Sequence, residues 1–311
     1  MGQGHRDRRT PRHSTLVVSP RQSLGPRPDT RRPRHLLPAG ATDCHCHTFE
    51  DGYPHTADLS YLPAPAPLAA YQRMCETVGL QRTVQVNSAS FGFDNSMTLD
   101  VIRKLGPRSA RGVAGIRPDT GNAELERLHA GGMRGARLST KVKGYGGTEL
   151  LDALAKTVQP LGWHVDLHLG SVAEIVALEP QLMRLPVPIV FDHMGSVRGA
   201  EGPDAPGFLA LVRILQRRDD CWAKISSWYR LSEAGPPRWS DMAPMAQALV
   251  AARPDRLVWG SNWLHPNRYE PKDIPDDAGL VDAFCEWVPD AADRERIFVT
   301  NPAHLYGFAP H

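Results

Sequence analysis

Hydrophobic and polar positions follow two alternating patterns from about residue 41 onward. Short apolar runs rich in β-branched residues, typical of buried strands, alternate with longer stretches of helical periodicity bounded by turn residues. The predicted strands are 41–46, 82–87, 111–116, 134–139, 163–169, 187–193, 221–226 and 256–261. The predicted helices lie near 67–78, 95–105, 121–130, 147–158, 172–184, 206–217, 240–252 and 277–287.

This order of elements predicts the fold class. Alternating strands and helices imply a parallel sheet, and eight such units favour a single (β/α)8 barrel, a TIM barrel, over residues 39–311. A doubly wound open sheet is the alternative. The Gly-rich phosphate fingerprint GxGxxG that such sheets often carry after the first strand is missing here.

Residues 1–38 have a different composition from the rest. They are rich in Arg and Pro and have few apolar residues to bury, so they gain too little on packing to offset their ordering entropy. No apolar segment follows Arg31 and Arg32 as a twin-arginine signal requires, and the prolines oppose an amphipathic transit helix. The sequence therefore predicts a disordered, dispensable N-terminal arm.

Charge and cysteine content narrow the possible classes of protein further. The net charge is +2, but residues 1–40 hold nine Arg and two Asp, which leaves −5 for residues 41–311. A mildly acidic folded part without a basic stripe argues against nucleic-acid binding. Five cysteines in a chain of this length indicate reduced thiols and a cytoplasmic location. No apolar run reaches the roughly 18 residues of a membrane span, and the sequence leaves open a monomer or a small homo-oligomer.

Histidines stand where several predicted strands end. In a (β/α)8 barrel the chemistry lies at the carboxyl ends of the strands. Strand one ends at His45 and His47, strand five at His168, strand six at Asp192 and His193, and strand eight at Asn262. A single HxH is a weak signal, and an isolated His168 would more often be a core or surface residue. Histidines from three strands converging on one barrel mouth favour a functional site.

The pleat of strand one predicts which of its side chains face the barrel interior. Residues two apart share a face, so His45 and His47 are expected to point inward together. Cys44 and Cys46 are then expected to point outward, toward the helices, which argues against them as metal ligands.

Several motifs resemble one enzyme superfamily. DCHCH at 43–47, FDHMG at 191–195 and WGSNWLHP at 259–266, together with His168, resemble the amidohydrolases. Within that superfamily they are most similar to the 2-pyrone-4,6-dicarboxylate hydrolase and sugar-lactonase branch. Further similar segments are GGMRG at 131–135, VPIV at 187–190, AGPP at 234–237, IPDD at 274–277 and VTNP at 299–302. The resemblance implies a (β/α)8 barrel, which agrees with the strand count, and hydrolysis of a lactone or ester by activated water.

The resemblance also implies roles for the histidines. His45 and His47 would bind a metal or polarise the substrate carbonyl, and His193 would orient the water or the substrate oxygen. His168 stands where many superfamily members place a metal-binding histidine, although the dicarboxylate hydrolase has Tyr there and works without metal. Three imidazoles from His45, His47 and His168 would suit a divalent ion such as Zn²⁺ with open positions for water and substrate.

Asn262 departs from the family pattern. The family has an aspartate at this position, which takes a proton from the attacking water. An amide cannot do so near neutral pH. Either the residue is an engineered Asp→Asn change made to trap a substrate, or the natural protein has lost or moved its base. The good match around the site favours the engineered change, and a purely structural cap would leave the histidines without a role.

Cations and aromatic residues at the same barrel end predict the substrate class. In the resembling hydrolase, arginines at the places of Arg137, Lys143 and Arg230 hold substrate carboxylates. A lysine replaces one arginine here, which argues for a different anion or placement, because Lys offers a point charge and Arg a planar fork. The alternative is that Arg137, Lys143 and Arg230 are solvated loop charges with no role in substrate binding. The expected substrate-binding residues are Arg137, Ser139, Lys143, Trp228, Tyr229, Arg230 and His265.

Three functions fit these residues. The first is a hydrolase that opens an anionic lactone resembling pyrone dicarboxylate or muconolactone, with a divalent metal or by histidine-assisted attack alone. The second is a metal-dependent, non-oxidative decarboxylase of the same superfamily, which shares the motif histidines. The third is a catalytically dead binding homologue, for which Asn262 is the main argument.

Overall fold

The computed structural model describes residues 20–57 and 59–309. One parallel sheet runs in the order β1-β2-β3-β4-β5-β6-β7-β8, as the alternating pattern predicts. The strands are β1 Thr42–Cys46, β2 Arg82–Val86, β3 Ala110–Ala114, β4 Met133–Ser139, β5 His164–His168, β6 Ile189–Phe191, β7 Cys221–Ser226 and β8 Leu257–Gly260.

The first and last strands meet and bring the sheet close to a closed barrel. Beyond the end of β8, the Asn262 amide donates to the His45 carbonyl and the His47 amide donates to the Trp263 carbonyl, both at 2.7 Å. The buried Asp43 carboxylate accepts hydrogen bonds from the Ser261 amide at 2.9 Å and the Ser261 hydroxyl at 2.5 Å. The (β/α)8 prediction is confirmed, and the open doubly wound sheet is excluded.

Helices surround the barrel as predicted, with a further helical segment at the carboxyl end. They are α1 Leu68–Val78, α2 Ser96–Leu105, α3 Asn122–Ala130, α4 Leu151–Val158, α5 Glu174–Leu182, α6 Pro206–Arg217, α7 Ala243–Ala252 and α8 Asp277–Trp287, followed by α9 Ala291–Glu295, a π-helical turn Arg296–Thr300 and α10 Asn301–Tyr306. The residues after α8 were not predicted to be helical. Strand β6 is shorter than its apolar run because His193 and Met194 adopt left-handed backbone angles, φ 54° and 53°, which end the strand.

The carboxyl-terminal segment closes the bottom of the barrel. Tyr306 and Phe308 pack with interior valines, and the Phe308 ring lies 4.8 Å from the Arg111 guanidinium. Arg111 Nε donates to the Tyr306 carbonyl at 3.1 Å, and Arg82 Nη2 donates to the Ala309 carbonyl at 2.8 Å. The functional site must therefore open at the opposite end.

A break in the register of β1 changes which side chains face inward. The pairing of β1 with β2 shifts between Asp43 and Cys46. Cys46 faces outward as expected and contacts the Thr83 hydroxyl. The expectation for Cys44 is wrong: it packs in the interior with Val84 and other inward-facing valines. A bulge adds one residue to a strand, so the simple alternation of faces fails there.

The expectation of a disordered arm fails for residues 20–38. Ser23 is buried, and the Leu24 amide donates to the carbonyl of Arg268 in the loop after β8 at 2.7 Å. Arg31 and Arg34 form ion pairs with Asp282 of α8 at 2.9 and 3.2 Å. Arg31 and Arg34 therefore serve ionic contacts with the acidic helix α8 rather than solvation. Residues 1–19 lie outside the described part of the chain.

Two further expectations concern the cysteines and membrane spans. All five cysteines are free thiols. Within residues 20–57 and 59–309, no helix is both long enough and apolar enough to cross a membrane.

The contact between the arm and α8 can be tested at Asp282. This buried carboxylate accepts from the Arg34 amide at 2.6 Å and pairs with two guanidinium groups. Asp282→Ala should lower the free energy of unfolding by about 2 kcal/mol, because hydrogen bonds to charged groups are worth roughly 1.5–3 kcal/mol. Urea denaturation measures the change, with exposed Asp119→Ala as the control. Equal stability of the two variants would mean that residues 20–38 are as dispensable as the sequence predicts.

Candidate active site

Polar side chains from six strands and the loops that follow them meet at the barrel mouth. Each comes from the carboxyl end of its strand, where a (β/α)8 barrel places its chemistry. The converging side chains are those of His45 and His47 from β1, Arg137 from β4, His168 from β5, Asp192 and His193 after β6, Lys224 from β7 and Asn262 after β8.

Asp192 is the ionic centre of this mouth. Its Oδ2 accepts a hydrogen bond from Arg137 Nε at 3.0 Å and lies 2.9 Å from Arg137 Nη2. Its Oδ1 lies 3.1 Å from Lys224 Nζ and 3.2 Å from His45 Nδ1, although neither contact has hydrogen-bond geometry. Burial by itself raises the pKa of Asp192, but Lys224, His45 and Arg137 outweigh it and hold that pKa well below its usual range.

A second buried carboxylate completes the charge balance one layer deeper. Lys224 Nζ lies 2.5 Å from Asp166 Oδ2, and His164 Nε2 lies 3.1 Å from Asp166 Oδ1. Lys224 is fully buried, which tends to lower its pKa, but Asp166 and Asp192 overcome this and raise it. Two carboxylates thus face two cations, Lys224 and Arg137, inside the barrel.

The four predicted histidines form a continuous row above this network. Ring centroids lie 5.1 Å apart for His47 and His45, 4.6 Å for His45 and His193, and 5.2 Å for His193 and His168. Burial is the main cause that lowers the pKa of each imidazole, to about 3 for His47 and well below the usual range for the others. The site therefore presents four neutral imidazoles with lone pairs.

Neighbouring groups fix how these rings point. His47 Nδ1 donates to the Val86 carbonyl at 2.8 Å, which leaves the lone pair on Nε2. His193 Nδ1 bonds the Ser226 hydroxyl at 2.7 Å, and His168 Nδ1 bonds the Ser139 hydroxyl at 3.1 Å. Ser139, which the sequence predicts to bind substrate, contacts the His168 ring in this way.

A pocket opens above the row of histidines. It is lined by His47, Tyr61, Ser88, Ala89, Arg137, Val142, His168, His193, Arg230, Asn262, Pro266 and Asn267. The neighbouring cleft shares His168, His193 and Arg230 with it. Burial lowers the pKa of Arg230, and the neighbouring Arg268 and Arg137 lower it further. Arg230 forms no ion pair with any residue that the structure describes. Arg230 is therefore a half-buried cation facing a cavity, whereas Arg137 is already paired with Asp192.

Asn262 lies at the edge of this pocket in a left-handed conformation with φ 57°. Its Nδ2 donates to the Ser227 hydroxyl at 3.0 Å and to the Tyr229 hydroxyl at 2.9 Å. With Nδ2 engaged twice, the carbonyl oxygen Oδ1 is the atom left for a water or substrate. That oxygen accepts hydrogen bonds but cannot take a proton.

The remaining predicted substrate residues lie away from the pocket. Trp228 is fully buried and packs against Trp287, with ring centroids 5.0 Å apart. Lys143 is exposed and is not one of the residues that line the pocket. Tyr229 and His265 lie behind Asn262 and contact each other at 3.1 Å.

Three residues of the site were missed in the sequence. Asp192 lies in the FDHMG motif but received no role, and Asp166 and Lys224 lie within strands. A signal was present for the last two: HVDLH and CWAKIS place ionisable groups at alternate positions of strands that must face a closed interior. A charge at such a position needs a partner across the barrel.

The donor set of the mouth can hold a divalent metal ion. Donor atoms of His45, His193 and Asp192 lie within 4.8 Å of one another, the one such group found in the described part of the chain. His45 Nε2 and Asp192 Oδ1 are buried without hydrogen-bond partners, as expected of atoms that serve another ligand. Of the three imidazoles expected to bind metal, only His45 belongs to this group.

The fold and this site agree with a family match. Residues 42–308 match the amidohydrolase family model. The chain therefore belongs to the amidohydrolase family.

Characterised relatives cover nearly the whole chain. It is 32% identical to a 2-pyrone-4,6-dicarboxylate hydrolase of Comamonas testosteroni over 88% of this chain and 92% of that protein. It is 34% identical to a 4-sulfomuconolactone hydrolase of Rhizobium radiobacter over 91% and 95%. A D-galactarolactone isomerase of Agrobacterium fabrum is 30% identical over 89% and 94%. These relatives are lactone enzymes, and the chain is an enzyme of their family, consistent with a lactonase, a carboxylic-ester hydrolase.

Solved structures of similar proteins agree with this family assignment. An apo structure from Agrobacterium tumefaciens is 29% identical, with a TM-score of 0.79 over 90% of this chain and 100% of that chain. A protein from Pseudomonas putida, provisionally assigned as a 2-pyrone-4,6-dicarboxylic acid hydrolase, is 30% identical, with a TM-score of 0.76 over 88% and 100%.

The buried ion network gives a stability prediction. Lys224→Met should cost roughly 3–5 kcal/mol of unfolding free energy, because it leaves two buried carboxylates short of a cation. Adding Asp166→Asn to that variant should recover part of the loss, since one of the two carboxylates is then removed. Chemical denaturation of the single and double variants measures both effects. Additive losses in the double variant would show that Lys224 and Asp166 are not energetically paired.

Proposed function

We propose that the protein hydrolyses an anionic lactone similar to 2-pyrone-4,6-dicarboxylate or a muconolactone. The observation that carries this proposal is the pocket itself, where the Arg230 guanidinium, which forms no ion pair with any described residue, faces a row of neutral imidazoles. An anionic group beside Arg230 would bring a neighbouring lactone carbonyl toward the histidines. The hydrolase names of the relatives at 32% and 34% identity support the same substrate class.

Arg230 is the proposed anion anchor. A guanidinium in a partly dry pocket gains a strong, bidentate pair when a carboxylate or sulfonate enters. Arg137 supports the pocket less directly, because its Nε and Nη2 already bond Asp192. One related structure, 25% identical and provisionally assigned as a dicarboxylic acid hydrolase from Acinetobacter baumannii, has citric acid bound, and a pocket for a polycarboxylate suits this chain too.

The proposed chemistry is attack of water on the lactone carbonyl. The free ring nitrogens of His47 and His168, and that of His193 when no ion is bound there, would hold the water and the carbonyl oxygen at fixed positions, because each ring is locked by a hydrogen bond at Nδ1. Asn262 Oδ1 would accept one hydrogen of that water without removing it. Position 262 therefore orients the nucleophile in this chain, and an aspartate there would also deprotonate it.

A divalent ion is proposed at His45, His193 and Asp192. The borderline imidazole and carboxylate donors suit Zn²⁺. When bound there, such an ion would supply Lewis acidity for the carbonyl and lower the pKa of water. The carboxylate would then be shared with Lys224 and Arg137, which moderates its attraction for the ion.

Two other functions remain as outcomes of the test. Asn262 itself favours a binding protein that keeps the pocket and lacks the base. A metal-dependent decarboxylase would use the same histidines, and the motif residues do not separate it from a lactonase. The cytoplasmic location indicated by the cysteines stays a prediction.

Asn262→Asp should create or raise turnover of an anionic lactone. A positioned general base is worth about 10²–10⁴ in rate, and the carboxylate would take the place of the amide beside Ser227 and Tyr229. The measurement compares both forms on pyrone dicarboxylate, sulfomuconolactone and sugar lactones, with ring opening followed by absorbance and binding by calorimetry. Both forms should bind the substrate, because the two side chains are nearly isosteric.

Each alternative result has a separate meaning. Rapid turnover by the Asn262 form would place the base elsewhere, with His193 the next candidate. Binding without turnover by either form would favour the binding homologue. Release of carbon dioxide from an aromatic acid, without ring opening of any lactone, would replace the lactonase by the decarboxylase.

The metal proposal is tested by elemental analysis after Zn²⁺ loading. His45→Ala should lose most of the bound ion, because it removes one of three donors, whereas His168→Ala should retain it. The reverse result would restore the ligand set expected from the sequence, His45, His47 and His168. Protein that retains less than about a tenth of an equivalent of zinc after loading, which is far below the tight binding of three-ligand sites, would favour a metal-free mechanism.

A further inference from the structure

The loop after β8 folds back beneath Asn262. The His265 amide donates to the Asn262 carbonyl at 2.7 Å, and both residues have positive φ, 57° and 65°. This tight turn places the His265 imidazole on the side of Asn262 away from the pocket, where it is fully buried.

An unbroken chain of hydrogen bonds runs from Asn262 into the protein. Asn262 Nδ2 contacts Tyr229 Oη at 2.9 Å, Tyr229 Oη contacts His265 Nδ1 at 3.1 Å, and His265 Nε2 contacts Asp277 Oδ1 at 3.0 Å. His265 is the hydrogen-bond partner of the buried Asp277 side chain, whose Oδ2 has none. Asp277 is the first residue of α8, where the helix dipole favours a negative charge.

Donor and acceptor counting fixes the direction of this chain. The Asn262 amide nitrogen can only donate, so Tyr229 Oη accepts there and donates its own proton to His265 Nδ1. His265 then carries its proton on Nε2 and donates to the Asp277 carboxylate. All three hydrogen bonds of this chain are satisfied by a neutral imidazole. Burial raises the pKa of Tyr229, against the opposing charges of Arg230 and Arg268, so the phenol has a proton to donate.

A carboxylate at position 262 would reverse that direction. It can only accept, so the Tyr229 proton would turn toward it, and Tyr229 Oη would then need a donor from His265 Nδ1. His265 would then donate from both nitrogens, as an imidazolium between the Tyr229 hydroxyl and the Asp277 carboxylate. The chain of Tyr229, His265 and Asp277 is thus built to respond to the residue at 262.

We propose that Tyr229, His265 and Asp277 are positioning residues that hold the side chain at 262, and that Asn262 or an aspartate there selects opposite protonation states of His265. This proposal rests on the proposed function and deepens it, because the chain of hydrogen bonds orients the side chain of residue 262 toward the pocket. It replaces the substrate-binding role expected for Tyr229 and His265.

Nitrogen-15 NMR of histidine-labelled protein at pH 7 tests this without any substrate. The Asn262 form should show His265 protonated on Nε2 alone, and Asn262→Asp should show it protonated on both nitrogens, with His265→Gln used to assign the signal. Tyr229→Phe removes the linking hydroxyl, so in that background Asn262→Asp should leave the His265 signal unchanged. Tyr269→Phe, which deletes a hydroxyl on the same loop, should leave the response intact.

Kinetic measurements provide a second test of the proposal. If Asn262→Asp turns over a lactone, adding Tyr229→Phe should lower kcat at least tenfold with little change in KM, because the base is present but poorly oriented. The same His265 protonation state in both forms would overturn the proposal, even if lactone turnover succeeds. Failure of turnover with the expected NMR change would instead count against the proposed function alone.

Discussion

The buried carboxylate of Asp192 is the constraint on which the mouth of the barrel depends. A charge taken out of water must be compensated, and the charge of Asp192 is compensated by Arg137 from β4 and Lys224 from β7, with the His45 ring of β1 beside it. These strands lie around the whole barrel, so a single anion ties distant parts of the sheet together. The histidines above it are held in a dry, charge-balanced setting that keeps their imidazoles neutral.

Local backbone strain accompanies this arrangement at the strand ends. His193, Ser227, Asn262 and His265 all have positive φ between 54° and 65°, a region that non-glycine residues adopt at an energetic cost. Such angles let a strand end abruptly and turn its last side chain across the mouth. The surrounding hydrogen bonds and ion pairs supply the stability that keeps these residues in place.

The sequence predicted the barrel because strand and helix periodicities alternate eight times, and that signal does not depend on tertiary detail. Histidines at strand ends likewise marked the mouth correctly. Cys44 shows where pattern reasoning fails, since a bulge in β1 is a tertiary event that no alternation of residues announces. The prediction of a disordered arm failed for a related reason. Arg31 and Arg34 looked like solvated charges in the sequence, and their partners on α8 become visible only in the folded structure.

The site was harder to predict than the fold because roles depend on contacts. Arg137 and Arg230 looked equivalent as strand-end arginines, yet one is bound to Asp192 and the other forms no ion pair within the described part of the chain. Tyr229 and His265 looked like pocket residues, and their positions behind Asn262 make them its support. Lys224 and Asp166 could have been found, because charges on the inward face of barrel strands need partners.

The central claim is that the pocket holds an anionic lactone through Arg230, and calorimetry on one variant tests it most directly. Arg230→Met should weaken binding of pyrone dicarboxylate or sulfomuconolactone by about 1.5–3 kcal/mol, the worth of a hydrogen bond to a charged group, whereas Arg230→Lys should lose less because it keeps the charge. Undiminished affinity in Arg230→Met, with the fold intact by circular dichroism, would contradict the account.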